Sequence, residues 1–255
     1  MSALLNHKLQ GKGDTIVLIH GLFGSLDNLG LLARDLSTDH QVLSLDLRNH
    51  GLSFQSDEHN YELMAQDVKH LLADLQLDNV TLIGHSMGGK VAMTLAAMIP
   101  NLIDKLIVLD MAPVHYHERR HDNVLAGLEA VIAQQPKSRS EAMTILGQHI
   151  EMEGVRQFLG KSMAKVGDFI SWRFNVASLK ANYLNILGWN EVTPISAPTL
   201  FIKGANSDYL TEAHQQAVAR QFKNVKAHVI ANTGHWLHAE KPNDVLRIIR
   251  RFMNK

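Results

Sequence analysis

The sequence predicts an α/β fold in which a mostly parallel central sheet is flanked by helices. Short apolar runs rich in β-branched residues alternate with amphipathic stretches along the chain, which is the pattern of βα units. Of the 255 residues, 45% are hydrophobic and only 20% are charged, so the chain is able to bury a large core in one domain.

Apolar runs predict the buried strands of the sheet, which we expect to be of the eight-stranded type. The runs are 15–20, 41–47, 80–84, 105–110, 198–203 and 225–230. Between them, apolar residues recur at helical spacing from Leu63 to Leu75, with Asn60 as a predicted N-cap. Another helix should begin at Met87 and end before Pro100, and both apolar faces are interpreted as ordinary core.

The strand pattern stops between Pro113 and about Ser196, where helical segments such as 125–133 and 140–148 take over. This stretch is too long for a plain connection. We therefore predict a core of residues 1–112 and 196–255, with a helical cap of residues 113–195 inserted after the strand that ends at Asp110. Such a cap would cover the carboxyl edge of the sheet, where open α/β sheets bind ligands.

Charge and composition exclude several classes of function. Twenty-five basic residues balance twenty-five acidic ones, which leaves no basic footprint for nucleic acid. Without cysteine there is no thiol nucleophile, disulfide or thiolate metal site. The N-terminal residues lack a secretory pattern, and no run of about 18 apolar residues predicts a membrane span. We expect a cytoplasmic protein with a small-molecule substrate, and its oligomeric state stays open.

The motif Gly84-His85-Ser86-Met87-Gly88-Gly89 follows a predicted buried strand and precedes a predicted helix. That is the context of the G-x-S-x-G turn, in which small flanking residues let a strained backbone expose the serine hydroxyl above the sheet. Ser86 is therefore the predicted nucleophile.

A serine hydroxyl needs a base within hydrogen-bond distance, and neutral histidine serves that role near pH 7. His235 follows the last predicted strand in Thr233-Gly234-His235-Trp236, so the chain order is serine first and histidine last. His238 is the nearest competitor, but Gly234 gives His235 the freer loop backbone. We predict His235 as the base.

Several strings together resemble the α/β-hydrolase superfamily over most of the chain. They are His20-Gly21, the segment Asp46 to Ser53, the Ser86 turn and Gly234-His235. The longer strings His20-Gly21-Leu22-Phe23-Gly24-Ser25, Arg48-Asn49-His50-Gly51 and Trp172-Arg173-Phe174-Asn175 resemble bacterial YbfF-type esterases. This resemblance implies the α/β-hydrolase fold and an enzyme that hydrolyses short acyl esters and, by extension, acyl-CoA thioesters.

The acid that orients the histidine has two candidates. Many members of the superfamily carry it in Gly-x-x-Asp after the penultimate strand, but here Gly204-Ala205-Asn206-Ser207 places serine there and Asp208 comes one residue later. Asp110, at the end of the strand after the nucleophile helix, is the alternative that the resemblance favours. We predict a triad of Ser86, His235 and Asp110.

The tetrahedral oxyanion needs two backbone donors, which in this fold come from the residue after the nucleophile and from an early loop. Met87 and Leu22 fit these positions. The predicted substrate-binding residues are Phe23, His85, Arg173 and Trp236. We expect the polar segment of Asp46, Arg48 and His50 to brace the neighbouring loop and not to react.

A rival motif, His117-Glu118-Arg119-Arg120-His121, matches the H-E-x-x-H pattern of zinc hydrolases, with Glu141 as a conceivable third ligand. It leaves the Ser86 and His235 motifs unexplained, so no metal and no cofactor are predicted. Arg119, Arg120 and Arg173 are hypothetical contacts for an anionic substrate group.

The sequence thus predicts a serine esterase or thioesterase that cleaves short to medium acyl esters through an acyl-enzyme on Ser86. The alternatives are carbon–carbon bond hydrolysis or lyase chemistry on the same triad, or a binding protein that keeps the pocket without turnover.

Overall fold

The structure, a computed structural model, describes residues 3–254. Its main feature in that range is a seven-stranded sheet with the strand order β1-β3-β2-β4-β5-β8-β9. The strands are β1 His7–Gln10, β2 Thr15–Ile19, β3 Gln41–Leu45, β4 Val80–His85, β5 Ile103–Leu109, β8 Thr199–Gly204 and β9 Val225–Ile230. β1 runs antiparallel to β3 and the other pairs are parallel, so the predicted fold class is confirmed.

The expected strand count was wrong for the described residues, because the sheet has seven strands and not eight. All six predicted runs became strands, and the seventh is β1, which the sequence did not signal. Its four residues form an edge strand with no buried position, so they carry no continuous apolar run.

Helices cover both faces of the sheet. On one side lie α2 Tyr61–Asp74 and α3 Met87–Met98, and on the other α1 Gly30–Leu36 and α11 Pro242–Met253. Side chains of β2 alternate between the two sides: Val17 and Ile19 belong to the first core, Ile16 and Leu18 to the second. As predicted, Asn60 caps α2, accepting a hydrogen bond from the Leu63 amide at 2.9 Å.

Residues 113–195, which we call the cap segment, leave the sheet after β5 and return before β8. They contain the helices α4 Asp122–Gln134, α5 Arg139–Gly147, α6 Glu153–Gly160, α7 Val176–Ala181 and α8 Tyr183–Leu187. They also contain an antiparallel hairpin of β6 Met163–Val166 and β7 Phe169–Trp172, which we did not predict. The division into core and cap stays a prediction from the sequence.

Two further α-helices, α9 Gln215–Gln221 and α10 Leu237–Glu240, flank β9, and short 3-10 helices span Leu26–Leu29, Pro100–Leu102 and Glu212–His214. Among residues 3–254, no helix combines the length and the apolar character needed to cross a bilayer.

Several histidines are buried in this core. His50, His59, His85 and His238 are each at most 5% exposed. Burial lowers the pKa of all four, to about 3 for His59 and His238. Since their pKa values in the folded protein lie below the ordinary 6.5, the unfolded chain binds more protons at mildly acidic pH.

We therefore expect the free energy of unfolding to be highest above about pH 6.5 and to fall as the pH drops, by roughly 1 to 2 kcal/mol per buried histidine at pH 5. Urea unfolding at pH 7.5, 6 and 5 measures this. His59→Leu should reduce the loss, whereas His70→Leu, at an exposed site, should leave it unchanged. An equal loss of stability at low pH in both variants would contradict the assignment of that loss to the buried histidines.

Candidate active site

Ser86 lies in the tight turn between β4 and α3. Its backbone has φ 54° and ψ −123°, a left-handed conformation that non-glycine residues seldom adopt. The flanking glycines make this turn possible: a Cβ on Gly84 would lie 2.2 Å from the Gly88 carbonyl oxygen, and one on Gly88 would lie 2.3 Å from that of Ile19. The strain holds the Ser86 hydroxyl above the end of β4.

His235, in the loop after β9, reaches Ser86 from the other side of the carboxyl edge. Its Nε2 is 2.8 Å from Ser86 Oγ, and its Nδ1 is 2.7 Å from Asp110 Oδ2. The carboxylate can only accept, so Nδ1 carries the ring proton and Nε2 is free to accept the serine proton. The structure thus brings together the three residues of the predicted triad.

Asp110 is fully buried at the end of β5 and has further donors. The Gly204 amide donates to its Oδ1 at 3.0 Å, and the Ser207 hydroxyl donates to its Oδ2. Asp208, the alternative acid, instead pairs with Arg120, and its side chain is 69% exposed. Ser207 therefore occupies the loop position where a Gly-x-x-Asp motif would carry the acid, and its hydroxyl instead binds Asp110, the predicted acid. The sequence showed the serine at this position but not its partner.

Two aromatic rings hold the His235 loop. Tyr209 stacks on the imidazole, with ring centroids 4.0 Å apart and an angle of 23° between the planes. His85 lines the cavity beside Ser86, as its predicted substrate role requires, but its Nε2 donates to the His235 carbonyl at 2.9 Å. His85 therefore braces the loop of His235, and its role as a substrate contact stays a prediction.

His238, the competing base, lies behind this arrangement. It is buried against His85, with ring centroids 4.3 Å apart, and it makes no hydrogen bond to Ser86 among the described residues. His235 alone has its two ring nitrogens facing the serine and the acid.

The predicted oxyanion donors flank Ser86. A Cβ on Gly21 would lie 3.2 Å from the Ser86 Cβ, so the early loop passes directly beside the nucleophile. The Phe23 amide is engaged, because it donates to His50 Nε2 at 3.2 Å. Met87 is the first residue of α3, and an amide in the first turn has no partner within the helix. Leu22 and Met87 both line the small pocket in front of Ser86.

Polar side chains brace this early loop, as expected. Buried Asp46 accepts hydrogen bonds from the amides of Leu26 at 2.7 Å and Leu52 at 2.9 Å. His20 Nε2 accepts from the Leu47 amide at 3.0 Å. These bonds connect the oxyanion loop to the loop after β3.

A cavity of about 1040 Å³ opens from Ser86 toward the cap segment. Phe23 and Trp236 line it, as predicted. Its apolar wall is otherwise formed by Leu22 and by cap side chains: Val124, Ile150, Met152, Val155, Phe158 and Leu159.

The structure does not bring Arg173 to this cavity. Trp172 and Phe174 are buried on either side of it, whereas Arg173 itself is exposed just after the end of β7. Arg120 lies in the cavity lining instead, while Arg119 pairs with Asp122 at 2.9 Å. The prediction that Arg173 contacts the substrate is therefore wrong for this cavity, and Arg120 is the one of the three arginines that lines it.

The H-E-x-x-H motif lies in the loop before α4, so its histidines do not share a helical face as the zinc pattern requires. His121 Nδ1 is 2.7 Å from the Tyr183 hydroxyl, and Glu118 pairs with Arg120 at 3.1 Å. Within residues 3–254, no cluster of three or more histidine, aspartate or glutamate side chains has the arrangement of a metal site.

Comparison with known proteins shows the family to which the chain belongs. The model of the alpha/beta hydrolase fold family matches residues 14–242. The chain belongs to the alpha/beta hydrolase family. Esterase YbfF of Escherichia coli (strain K12) is 50% identical to this hydrolase over 245 residues, which cover 96% of this chain and 95% of that protein.

More distant relatives extend the comparison. The sn-1-specific diacylglycerol lipase ABHD11 of Mus musculus is 37% identical over 93% of this hydrolase and 80% of that protein. A solved structure described as a marine microorganism esterase is 34% identical, with a TM-score of 0.95 over 98% of this chain and 100% of that one. The predicted family and enzyme class are confirmed: the chain is a carboxylic ester hydrolase.

The site geometry predicts different effects for the two candidate acids. Asp110→Asn should lower kcat for a chromogenic ester by about a thousandfold or more, because the amide no longer favours the required tautomer of His235. The same change at exposed Asp208 should alter kcat by less than about threefold. Steady-state kinetics on both variants measures this, and a greater loss in Asp208→Asn would reverse the assignment.

Proposed function

We propose that this hydrolase is a serine esterase that cleaves short to medium acyl esters through an acyl-enzyme on Ser86. The observation that carries the proposal is the continuous line of hydrogen bonds from Ser86 Oγ to His235 and on to Asp110, at 2.8 and 2.7 Å. A protein that only binds a ligand does not require a base within hydrogen-bond distance of a strained serine.

In the first half-reaction, His235 Nε2 takes the proton of Ser86 while Oγ attacks the ester carbonyl. The amides of Leu22 and Met87 donate to the oxyanion that forms. Asp110 stabilises the imidazolium, which then donates its proton to the leaving alcohol as the carbon–oxygen bond breaks. In the second half, His235 takes a proton from water, the resulting hydroxide attacks the acyl-enzyme, and Ser86 leaves with the proton.

The cavity favours substrates with an apolar acyl group. Its apolar wall runs from Phe23 beside Ser86 to Phe158 on α6. Each additional methylene that leaves water contributes about 0.8 kcal/mol to binding. We therefore expect kcat/KM to rise with acyl length from acetyl esters to those of medium length.

Cytoplasmic location stays a prediction from the sequence.

The direct test follows hydrolysis of chromogenic acyl esters of increasing chain length. Ser86→Ala should lower kcat at least about a thousandfold for every ester, because the acyl-enzyme cannot form. Ser140→Ala, at an exposed site on α5, should match the wild type. Full activity in Ser86→Ala, or no turnover of any ester by the wild type, would refute the proposed esterase.

Arg120 suggests a finer substrate preference for acyl groups or leaving groups that carry a negative charge, as in acyl-CoA thioesters. Its guanidinium lies in the cavity lining, over the Tyr209 ring at 4.8 Å. Its Nε is buried and has no hydrogen-bond partner in the described part of the chain. A substrate carboxylate or phosphate would meet the terminal nitrogens of the guanidinium, where it would compete with Asp208 and Glu118.

Arg120→Met should therefore reduce kcat/KM for an anionic acyl thioester by roughly tenfold or more, and for a neutral ester of the same length by much less. Arg173→Met is the matched control, because Arg173 is exposed outside the cavity, and we expect no change in the ratio of the two substrates. An unchanged ratio in Arg120→Met would eliminate the preference for an anionic group.

A further inference from the structure

Lys90 is a fully buried amine, one helical turn after Ser86 on α3. Its Nζ donates to the backbone carbonyls of Leu187 at 3.1 Å and Gly188 at 2.7 Å. No carboxylate pairs with it among the described residues. Burying an ammonium without an opposite charge is costly, and a methionine of similar length would fill the same space without that cost. The reaction scheme above gives Lys90 no role.

The carbonyls that Lys90 binds belong to the point where the cap segment returns to the core. The Tyr116 amide, near the start of the cap segment, donates to Leu187 O at 2.9 Å. The Tyr61 hydroxyl, on α2, donates to Ile186 O at 2.5 Å. The beginning and the end of the cap segment therefore meet at this place, which we call the cap hinge (Tyr116 and residues 186–188). Lys90, on α3, binds two backbone carbonyls of the cap hinge.

Two aromatic rings enclose the amine. Lys90 Nζ lies 4.7 Å from the centroid of the Tyr116 ring and 5.3 Å from that of Tyr61, within the range of cation–π contacts. These contacts favour the charged form. Burial acts in the opposite direction and lowers the pKa of Lys90 to about 7. The amine therefore changes charge close to neutral pH.

The groups that face Lys90 do not change charge near neutral pH. Burial raises the pKa of the Tyr61 and Tyr116 hydroxyls, so both rings stay neutral. Farther along the small pocket, burial raises the pKa of Tyr209 to about 12 and lowers that of His121 to about 4. Arg120 keeps its charge throughout.

Tyr116 connects the cap hinge to the catalytic histidine. Its hydroxyl donates to the Tyr209 backbone carbonyl and accepts from the Ala112 amide at 3.0 Å. Tyr209 in turn stacks on His235 at 4.0 Å, and Ala112 is two residues beyond Asp110. A displacement of Tyr116 would therefore move a ring that fixes the imidazole.

We propose that Lys90 is a positioning residue for ester hydrolysis, whose ammonium holds the cap hinge and, through Tyr116 and Tyr209, keeps His235 aligned with Ser86. This inference rests on the proposed serine mechanism. Lys90 touches neither the substrate nor the reacting atoms. Its deprotonation removes the cation–π contacts with Tyr116 and Tyr61 and loosens the hold on His235.

The first test is Lys90→Met, measured from mildly acidic to mildly basic pH with a neutral chromogenic ester. We expect kcat to fall about threefold to thirtyfold at pH 7, with KM within about twofold of the wild type, because alignment and not binding is affected. The wild type should lose kcat as the pH rises above about 7, and Lys90→Met should not.

Lys165→Met, at an exposed lysine of β6, is the matched control and should keep both the rate and the pH profile. Tyr116→Phe is the second variant, since it retains the ring over Lys90 but removes the hydroxyl that binds Tyr209. It should lower kcat as Lys90→Met does. The fold-decrease in kcat of the double variant should be smaller than the product of the two single fold-decreases, because both substitutions interrupt the same path of contacts to His235.

Wild-type kcat and an unchanged pH profile in Lys90→Met would overturn the inference, and so would losses that multiply in the double variant. If Lys90→Met does not fold, the wild-type pH profile and Tyr116→Phe decide: no loss of kcat above pH 7, or full activity in Tyr116→Phe, overturns it. These outcomes differ from failure of the serine mechanism, in which the wild type cleaves no ester or Ser86→Ala stays active.

Discussion

The tight turn at Ser86 is the constraint on which the other parts of the site depend. A positive φ at a serine is unfavourable, and it persists only where the surroundings fix it. Here β4 is central in a parallel sheet, so the turn is held from both sides by β2 and β5. Glycine at 84 and 88 then lets the backbones of the turn and of β2 approach more closely than any side chain would permit.

Because the strands are parallel, the ends of β4, β5 and β8 meet at one edge of the sheet. Ser86, Asp110 and Ser207 follow those three ends, and His235 follows β9 beside them. Asp110, the predicted acid, follows the strand next to that of Ser86, and the loop after β8 supplies the Ser207 hydroxyl that binds it. Sheet order therefore brings together the three residues of the predicted triad. The cap segment adds the cavity wall, and Tyr116 of the cap hinge binds the backbone carbonyl of Tyr209, whose ring stacks on His235.

Much of this arrangement could be predicted from local patterns. Buried parallel strands appear as continuous apolar runs, and the Ser86 and His235 motifs carry their own turn glycines. Edge strand β1 and the cap hairpin could not be found in this way, because they are short and partly exposed. The role of Ser207 and the stacking of Tyr209 depend on contacts between β5, β8 and β9, and spacing along the chain does not reveal them. The prediction that Arg173 contacts the substrate failed for the same reason. Its exposure depends on the burial of Trp172 and Phe174, which spacing along the chain does not reveal.

The central claim is that Ser86 carries the acyl group during turnover, and rapid-quench mass spectrometry tests it most directly. The enzyme is mixed with excess ester, quenched in acid within the first turnovers, digested and sequenced. The account predicts a peptide heavier by one acyl group, with the added mass on Ser86. Full ester hydrolysis with no adduct on Ser86, or with an adduct on another residue, would contradict it.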